Sequence, residues 1–194
     1  MSGINAHRKA RKKTAIRPRA TGKIASTRSA ARVTIPFRAI NRCGSPNYHP
    51  GLQRHHLLPM QLLTKRYFGR MFESIGRARV GLDDFRFNGL LLPSTEQASV
   101  QTGLPLHRGP HPVYNELVIE RVASIESRWE LVQKKDPETA RREALDRMRL
   151  LQRALRIRLI NADKGFVLNR KDPLGTGFNF DTLDAMAEQI WSST

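Results

Sequence analysis

The chain has 194 residues, of which 39% are hydrophobic, and a formal net charge of +17 at pH 7. A chain of this length forms one domain, or one domain with a tail. Its single cysteine, Cys43, excludes an intrachain disulfide and a zinc site built from several thiolates. No apolar run approaches the roughly 18 residues that indicate a transmembrane helix, and the N-terminus lacks the apolar segment of a secretory signal.

The positive charge is concentrated at the front of the chain. Residues 1–72 contain 16 Lys and Arg and no Asp or Glu, whereas residues 73–194 contain 18 basic and 17 acidic residues. The basic side chains of residues 1–33 repel one another, and too few large apolar side chains are present to offset the cost of ordering, which predicts a disordered basic tail followed by a single domain at 34–194. The candidate phosphate contacts in this tail are Lys9, Arg11, Lys12, Lys13, Arg17 and Arg19. The same composition is typical of a solubilising tail or an organellar transit peptide, and both alternatives stay open.

Short elements separated by loops are predicted for the first half of the domain. Proline and glycine positions and the hydrophobic spacing place their boundaries. In chain order we expect an edge strand at 33–37, a loop at 43–51, an extended run at 52–58, a helix within 60–72, a charged loop at 76–87, a turn at Asn88-Gly89, a buried strand at 90–92 and a connector at 94–106.

Two long helices are predicted for the second half. Pro112 suits the first position of the first helix, whose apolar stripe is Val118, Val122, Ile125 and Trp129. Asp136-Pro137 begins the second helix, which runs to about residue 160 and buries Ala144, Met148, Leu151, Leu155 and Leu159. Its arginines at 141, 142, 149, 153 and 156 are expected on a solvated face. A loop at 173–179 and a short helix at 181–191 follow.

Four of the six histidines occur in two pairs, His55-His56 and His107/His111. Adjacent residues of a strand point to opposite faces, so one histidine of the first pair can bind a metal while the other faces a substrate. Gly109 and Pro110 separate the second pair. Because proline fits only at or before a helix start, we expect His107 in a loop and His111 at the helix N-cap. A metal with an adjacent base is what phosphodiester hydrolysis needs.

Three segments carry a resemblance to a known family. They are His-His-Leu-Leu-Pro at 55–59, Phe-Asn-Gly-Leu-Leu-Leu-Pro at 87–93 and Leu-His-Arg-Gly-Pro-His-Pro-Val-Tyr-Asn at 106–115. In this order they resemble the AHH group of HNH/endonuclease VII nucleases over roughly residues 47–130. Arg54 stands where that family usually has a small residue, often alanine. His56 and Asn88 are 32 positions apart in the sequence, and the segment between them forms an insert that must fold over or beside the site.

The resemblance implies roles for individual residues. His56 is similar to the general base that activates water, and Asn88 to the residue that braces the hairpin and helps orient that base. His55, His107 and His111 resemble the metal ligands. Arg54, Arg108 and Asn115 are candidate nucleic-acid contacts, Asn115 also being a candidate ligand. The implied fold is α+β and mostly helical, with a ββα-metal (His-Me finger) core and a helical extension at 131–194.

The function predicted from the sequence is that of a metal-dependent endonuclease. It would use one divalent ion, with magnesium or zinc favoured over manganese or nickel. Its partner would be nucleic acid, DNA before RNA, and no membrane. The resemblance raises the role of a bacterial toxin that is secreted without a signal peptide and countered by an immunity protein. A cytoplasmic housekeeping, phage or mobile-element nuclease is the open alternative. The rival class is a non-catalytic nucleic-acid-binding protein in which the histidines hold a structural zinc.

Overall fold

The computed structural model describes residues 33–161, 167–169 and 171–174, which form a mostly helical α+β structure. Its regular elements are one two-stranded antiparallel sheet and six α-helices. They are β1 (Leu52–His56), α1 (Gly69–Ile75), α2 (Arg77–Val80), α3 (Phe85–Asn88), β2 (Gly89–Pro93), α4 (Glu96–Thr102), α5 (Pro112–Gln133) and α6 (Pro137–Ile160). Short 3-10 helices lie at Phe37–Ala39, Met60–Thr64 and Arg66–Phe68.

The long helices α5 and α6 provide most of the core, as the sequence predicted. Pro112 and Pro137 each stand in the first turn of their helix, and the Asp136 carboxylate accepts hydrogen bonds from the amides of Glu138 and Thr139. The predicted apolar stripes of both helices are buried. Only three residues join the two helices, so they pack side by side as an antiparallel hairpin.

The insert between the strands packs beside the site, against α6. It contributes buried side chains to the same core cluster as α5 and α6, namely Leu62, Phe68, Met71, Phe72, Ile75 and Val80. β1 pairs with β2 in a register that sets His55 opposite Leu90 and His56 opposite Gly89. The histidine pair therefore lies at the end of the sheet where β1 ends and β2 begins. The insert leaves β1 and enters β2 at this same end.

Several local predictions were wrong. The expected edge strand at 33–37 is reduced to one bridge between Pro36 and Asp84. The predicted loop at 76–87 contains α2 and most of α3, and the predicted connector at 94–106 contains α4. The helix expected within 60–72 is mostly 3-10 turns before α1 begins. These helices have four to seven residues, and so short a segment shows too little of the 3.6-residue period to be recognised.

Asn88-Gly89 is not a turn. Asn88 ends α3, and Gly89 begins β2 with a φ of −109° that any residue adopts. Glycine is needed there for a different reason: a Cβ on Gly89 would lie 2.1 Å from Cδ2 of Phe85. The dipeptide therefore marks a close approach between backbone and an aromatic ring.

Within residues 33–161, 167–169 and 171–174, none of the helices is both long and apolar enough to cross a membrane. Residues 1–32 of the tail predicted at 1–33, the predicted helix at 181–191 and most of the predicted loop at 173–179 lie outside the described residues. The predicted division of the chain at residue 33 stays a prediction.

Candidate metal centre and active site

β1 places the histidine pair on opposite faces of the sheet. His55 points inward and is 1% exposed, whereas His56 is half-buried on the other face. The alternation of side chains along an extended strand dictates this separation. One imidazole thus enters the protein interior while its neighbour stays accessible.

His55 meets His107 and His111 on the inner face. The ring centroids of His107 and His111 lie 4.8 Å and 4.9 Å from that of His55, and one nitrogen from each of the three rings lies within 4.8 Å of the others. The Nε2 atoms of His107 and His111 are 3.0 Å apart. As predicted, His107 lies in a loop and His111 is the N-cap of α5.

Neither ring nitrogen of His55 has a hydrogen-bond partner among the described residues, and neither does Nδ1 of His107. A buried unpaired polar group costs about 1–3 kcal/mol, so a bound cation would offset a real penalty. Two imidazole nitrogens on one tetrahedral zinc are about 3.3 Å apart, given Zn–N distances of about 2.0–2.1 Å. The 3.0 Å separation of His107 and His111 is close to that value. The three histidines therefore fit a divalent metal and could hold one.

The triad is kept in the uncharged form that ligates metals. Burial, followed by the proximity of His107 and His111, holds the pKa of His55 well below 6.5. Burial, followed by the proximity of His111 and His56, lowers the pKa of His107 to about 4. Burial also lowers the pKa of His111. At neutral pH a metal ion would not compete with protons for these rings.

The start of α5 orients His111. Oδ1 of Asn115 lies 3.1 Å from Nδ1 of His111, and the Asn115 amide group donates to Gln61. A hydrogen bond at Nδ1 leaves the Nε2 lone pair facing His107. Tyr114, one residue earlier, packs its ring against His55 at 4.9 Å and donates its hydroxyl to the Leu57 carbonyl at 2.7 Å. Asn115 was predicted as a nucleic-acid contact or a metal ligand. In the structure it is bonded to the candidate ligand His111, on the ring nitrogen that faces away from His107.

The loop that carries His107 is held from both sides. The backbone amide of His107 donates to the Pro93 carbonyl at 2.7 Å, which attaches the loop to the end of β2. The Asp172 carboxylate accepts from the Leu106 amide at 2.9 Å, and the Asn169 amide group donates to the Arg108 carbonyl. Sequence reasoning missed Asn169 and Asp172, because residues more than 60 positions away leave no local pattern.

His56 is held by an aromatic stack. Its ring lies parallel to that of Phe37, with centroids 3.7 Å apart and an interplanar angle of 6°, and the edge of Phe85 packs on Phe37 at 5.1 Å. Burial lowers the pKa of His56; Asp83 opposes this effect, and Arg54 adds to it. Phe37 was not predicted as a site residue, because only the folded chain brings it to His56.

Asp84 holds in place the segment at residues 33–36, which precedes Phe37 in the chain. Its carboxylate accepts from the amides of Ile35 and Arg86 and from the Arg86 guanidinium, which in turn donates to the Val33 carbonyl. The hydrogen bond from Arg86 keeps the pKa of Asp84 below its usual value. A charge-assisted network of this kind holds residues 33–36 against the start of α3.

Asn88 is fully buried behind the histidine pair. Its side chain accepts from the Leu58 amide at 2.7 Å and donates to the carbonyls of Leu58 and Leu82, both at 2.9 Å. Gln152 of α6 also donates to it at 3.3 Å. The amide group donates two hydrogen bonds, accepts two and is fully buried, which suits a brace of β1 better than a direct contact with substrate.

Replacing Asn88 with alanine is expected to lower the free energy of unfolding by about 3–5 kcal/mol, because the amide of Leu58 and the carbonyls of Leu58 and Leu82 lose their partner. Urea unfolding followed by circular dichroism measures the change. Asn47→Ala, at an exposed position, is the matched control and should stay within about 0.5 kcal/mol of the unmodified protein. A loss below about 1 kcal/mol would contradict the bracing role.

Two predicted nucleic-acid contacts lie on the surface near the histidines. Arg54 is exposed and donates to the Phe37 carbonyl at 2.9 Å, and Arg108 is exposed in the loop that follows His107. The predicted contacts Lys9, Arg11, Lys12, Lys13, Arg17 and Arg19 lie outside the described residues. Their role stays a prediction.

A cluster of three uncharged imidazoles beside a fourth, accessible imidazole defines a candidate hydrolytic metal site. In a comparison with family models, residues 37–155 match AHH, described as a nuclease family of the HNH/ENDO VII superfamily with conserved AHH. The match covers more than half of the chain, so the chain belongs to this nuclease family. Neither the curated proteins nor the solved structures contain a match. The resemblance stated from the sequence is confirmed, over a longer segment than the three motifs span.

Proposed function

We propose that this protein is a metal-dependent endonuclease that hydrolyses phosphodiester bonds through a ββα-metal (His-Me finger) site. The observation that carries the proposal is the pairing of His55, which joins His107 and His111, with His56 on the opposite face of β1. The two strands and the start of α5 would supply the ββα frame. Membership of the AHH nuclease family supports the same reaction class.

The proposed ligands are His55, His107 and His111. Three imidazoles suit zinc, nickel and other transition metals better than magnesium, which prefers oxygen ligands. We therefore place zinc before magnesium. When bound, the cation would supply positive charge that stabilises the phosphate and the leaving oxygen.

His56 is the proposed general base. Burial lowers its pKa, so the imidazole is neutral at pH 7 and can take a proton from water. Phe37 holds the ring plane in place. Asn88, bonded on both sides of Leu58, keeps the end of β1 in position and acts on the base indirectly.

Incubation of the protein with a supercoiled plasmid and a graded series of divalent metals tests the proposal. We expect nicked and linear DNA to appear only with added metal, and to disappear with a chelator. The rival class, a nucleic-acid-binding protein with a structural zinc, predicts tight zinc binding and a DNA shift without cleavage at any metal concentration. That result would replace the nuclease proposal.

Phe37→Leu is expected to reduce kcat about tenfold with little change in KM, because a misaligned base slows chemistry more than binding. Phe37→Tyr keeps the stacked ring and should recover most of the rate. Steady-state cleavage of a labelled oligonucleotide provides both constants, and thermal unfolding checks that each variant is folded. If the leucine and tyrosine variants cleave at equal rates, the stack does not position His56.

We also propose a nucleic-acid substrate and a biological role for this enzyme. The excess of Lys and Arg in residues 1–72 supports a nucleic-acid substrate, which we expect to be DNA before RNA, and we propose that residues 1–33 add phosphate contacts. Family resemblance supports a toxin countered by an immunity protein; a housekeeping, phage or mobile-element enzyme is the other setting. Growth of bacteria that express the chain, beside cells that express His56→Ala, tests for toxicity.

A further inference from the structure

A basic groove of about 930 Å³ lies beside β1, outside the histidine triad. Its lining includes Arg38, Arg42 and Arg54, together with Tyr48 and Cys43. None of the described residues that line it is acidic. Three guanidinium groups around one concave surface attract a polyanion, and arginine is well suited to bind phosphate.

The groove is built into the fold. Asn41, with a φ of 46°, donates its side-chain amide to the carbonyls of His49 and Leu52 and accepts from the His49 amide at 2.7 Å. Asparagine is one of the few residues that adopt this left-handed conformation readily. These bonds close the loop that carries Cys43 and Tyr48, so the groove exists before any ligand binds.

One residue of the groove lining, Arg54, shares a face of β1 with His56. Arg54 is two residues before His56, so both side chains lie on the same face of β1, about 6.6 Å apart along the strand. One Arg54 nitrogen donates to the carbonyl of Phe37, whose ring stacks on His56. A guanidinium has five N–H donors, so this bond leaves others for a phosphate.

We propose that this groove binds one strand of the nucleic-acid substrate and delivers it to His56. The arginines contact phosphates, and Tyr48, 37% exposed, stacks on a base. The volume of the groove, about 930 Å³, lies within the range of about 300–1,000 Å³ that is typical of sites for drug-sized ligands. A groove of this size suits one or two nucleotides and not the face of a duplex. Arginines with an exposed aromatic ring are typical of single-strand binding. The inference rests on the proposed nuclease function.

Cys43 offers a direct test, because it is the only cysteine of the chain, is exposed and lines the groove. The rate at which N-ethylmaleimide, an uncharged reagent, modifies the unaltered protein is measured in chelator, so that no cleavage occurs. Saturation with a short single-stranded oligothymidylate, checked by fluorescence anisotropy, should slow the reaction at least about fivefold. A duplex of equal length should protect less. Full binding with an unchanged rate would overturn the proposal.

Two variants give a second measurement. Arg42→Gln should weaken single-strand binding and reduce the slope of log affinity against log salt by about 0.7, the value for one lost phosphate contact. Tyr48→Leu should weaken binding at least about fivefold with little change in that slope, because stacking involves no counterion. Arg142→Gln, an exposed arginine of α6, is the matched control. If Arg42→Gln and Tyr48→Leu both bind like the control, the groove is not the strand site.

The outcomes separate this inference from the proposed function. Protection of Cys43 in a protein that shows no cleavage with any of the metals tested would retain the groove and reject the nuclease. Metal-dependent cleavage without protection of Cys43 would retain the nuclease and reject the groove.

Discussion

Replacing His56 with alanine is expected to slow cleavage by about 10²–10⁴-fold, the usual contribution of a positioned general base. Metal affinity should stay within about twofold of the unaltered protein, because His56 lies on the opposite face of β1 from His55, His107 and His111. Single-turnover cleavage of a labelled oligonucleotide measures the rate, and calorimetric titration with zinc measures the affinity. Retention of the metal with loss of turnover is the expected signature of a base.

His49→Ala is the matched control for this experiment. It also removes one imidazole from an exposed position, but His49 belongs neither to the triad nor to the ring stack, and its cleavage rate should stay within about twofold. Free imidazole should restore part of the activity of His56→Ala, since it can occupy the space against Phe37. Turnover by His56→Ala at the unaltered rate would show that another group activates water.

Replacing His55 with leucine is expected to change stability in opposite directions with and without metal. In the metal-free protein the two buried, unpaired ring nitrogens of His55 are removed, so the variant should be as stable as the unaltered chain or slightly more so. Zinc at a hundred times its Kd stabilises the unaltered protein by about 2.7 kcal/mol. A tenfold weaker site in the variant reduces this gain to about 1.4 kcal/mol at the same zinc concentration.

Thermal and urea unfolding, each with zinc and with chelator, measure the two changes. His111→Ala should lose affinity to a similar extent, and His107→Ala should follow, since all three rings bring a nitrogen within 4.8 Å of the others. His49→Leu, away from the cluster, is the control and should keep the full stabilisation by zinc. If His55→Leu and His111→Ala bind zinc like the unaltered protein, the metal site is elsewhere in the chain.

Together these variants test the proposed roles of the four histidines. A base variant loses turnover and keeps metal, whereas a ligand variant loses both. A brace variant such as Asn88→Ala loses stability whether or not metal is present, because its bonds to Leu58 and Leu82 do not involve the triad. Cleavage rate, metal affinity and the free energy of unfolding are measured separately. If the role proposed for one residue is wrong, the roles proposed for the others can still be tested.

The sequence by itself determined those features of this protein that carry strong local signals. Helix α6 begins at Pro137 and ends at Ile160, as predicted, because an aspartate cap, a proline in the first turn and a sustained apolar period are local signals. The position of His111 at the N-cap followed from the restricted backbone of Pro110. The opposite directions of His55 and His56 followed from the geometry of a strand.

Only the tertiary structure determined which distant residues support the site. Phe37 reaches His56 through a segment held by Asp84, Asn88 bonds to Leu58 across 30 positions, and Asp172 holds the loop of His107 from a position 66 residues after Leu106. Helices as short as α2 and α3 also arise from the packing around them, since isolated helices of one turn are unstable in water. Propensity and periodicity act within a few residues, whereas stacking, burial and hydrogen bonds act between whichever residues the folded chain brings together.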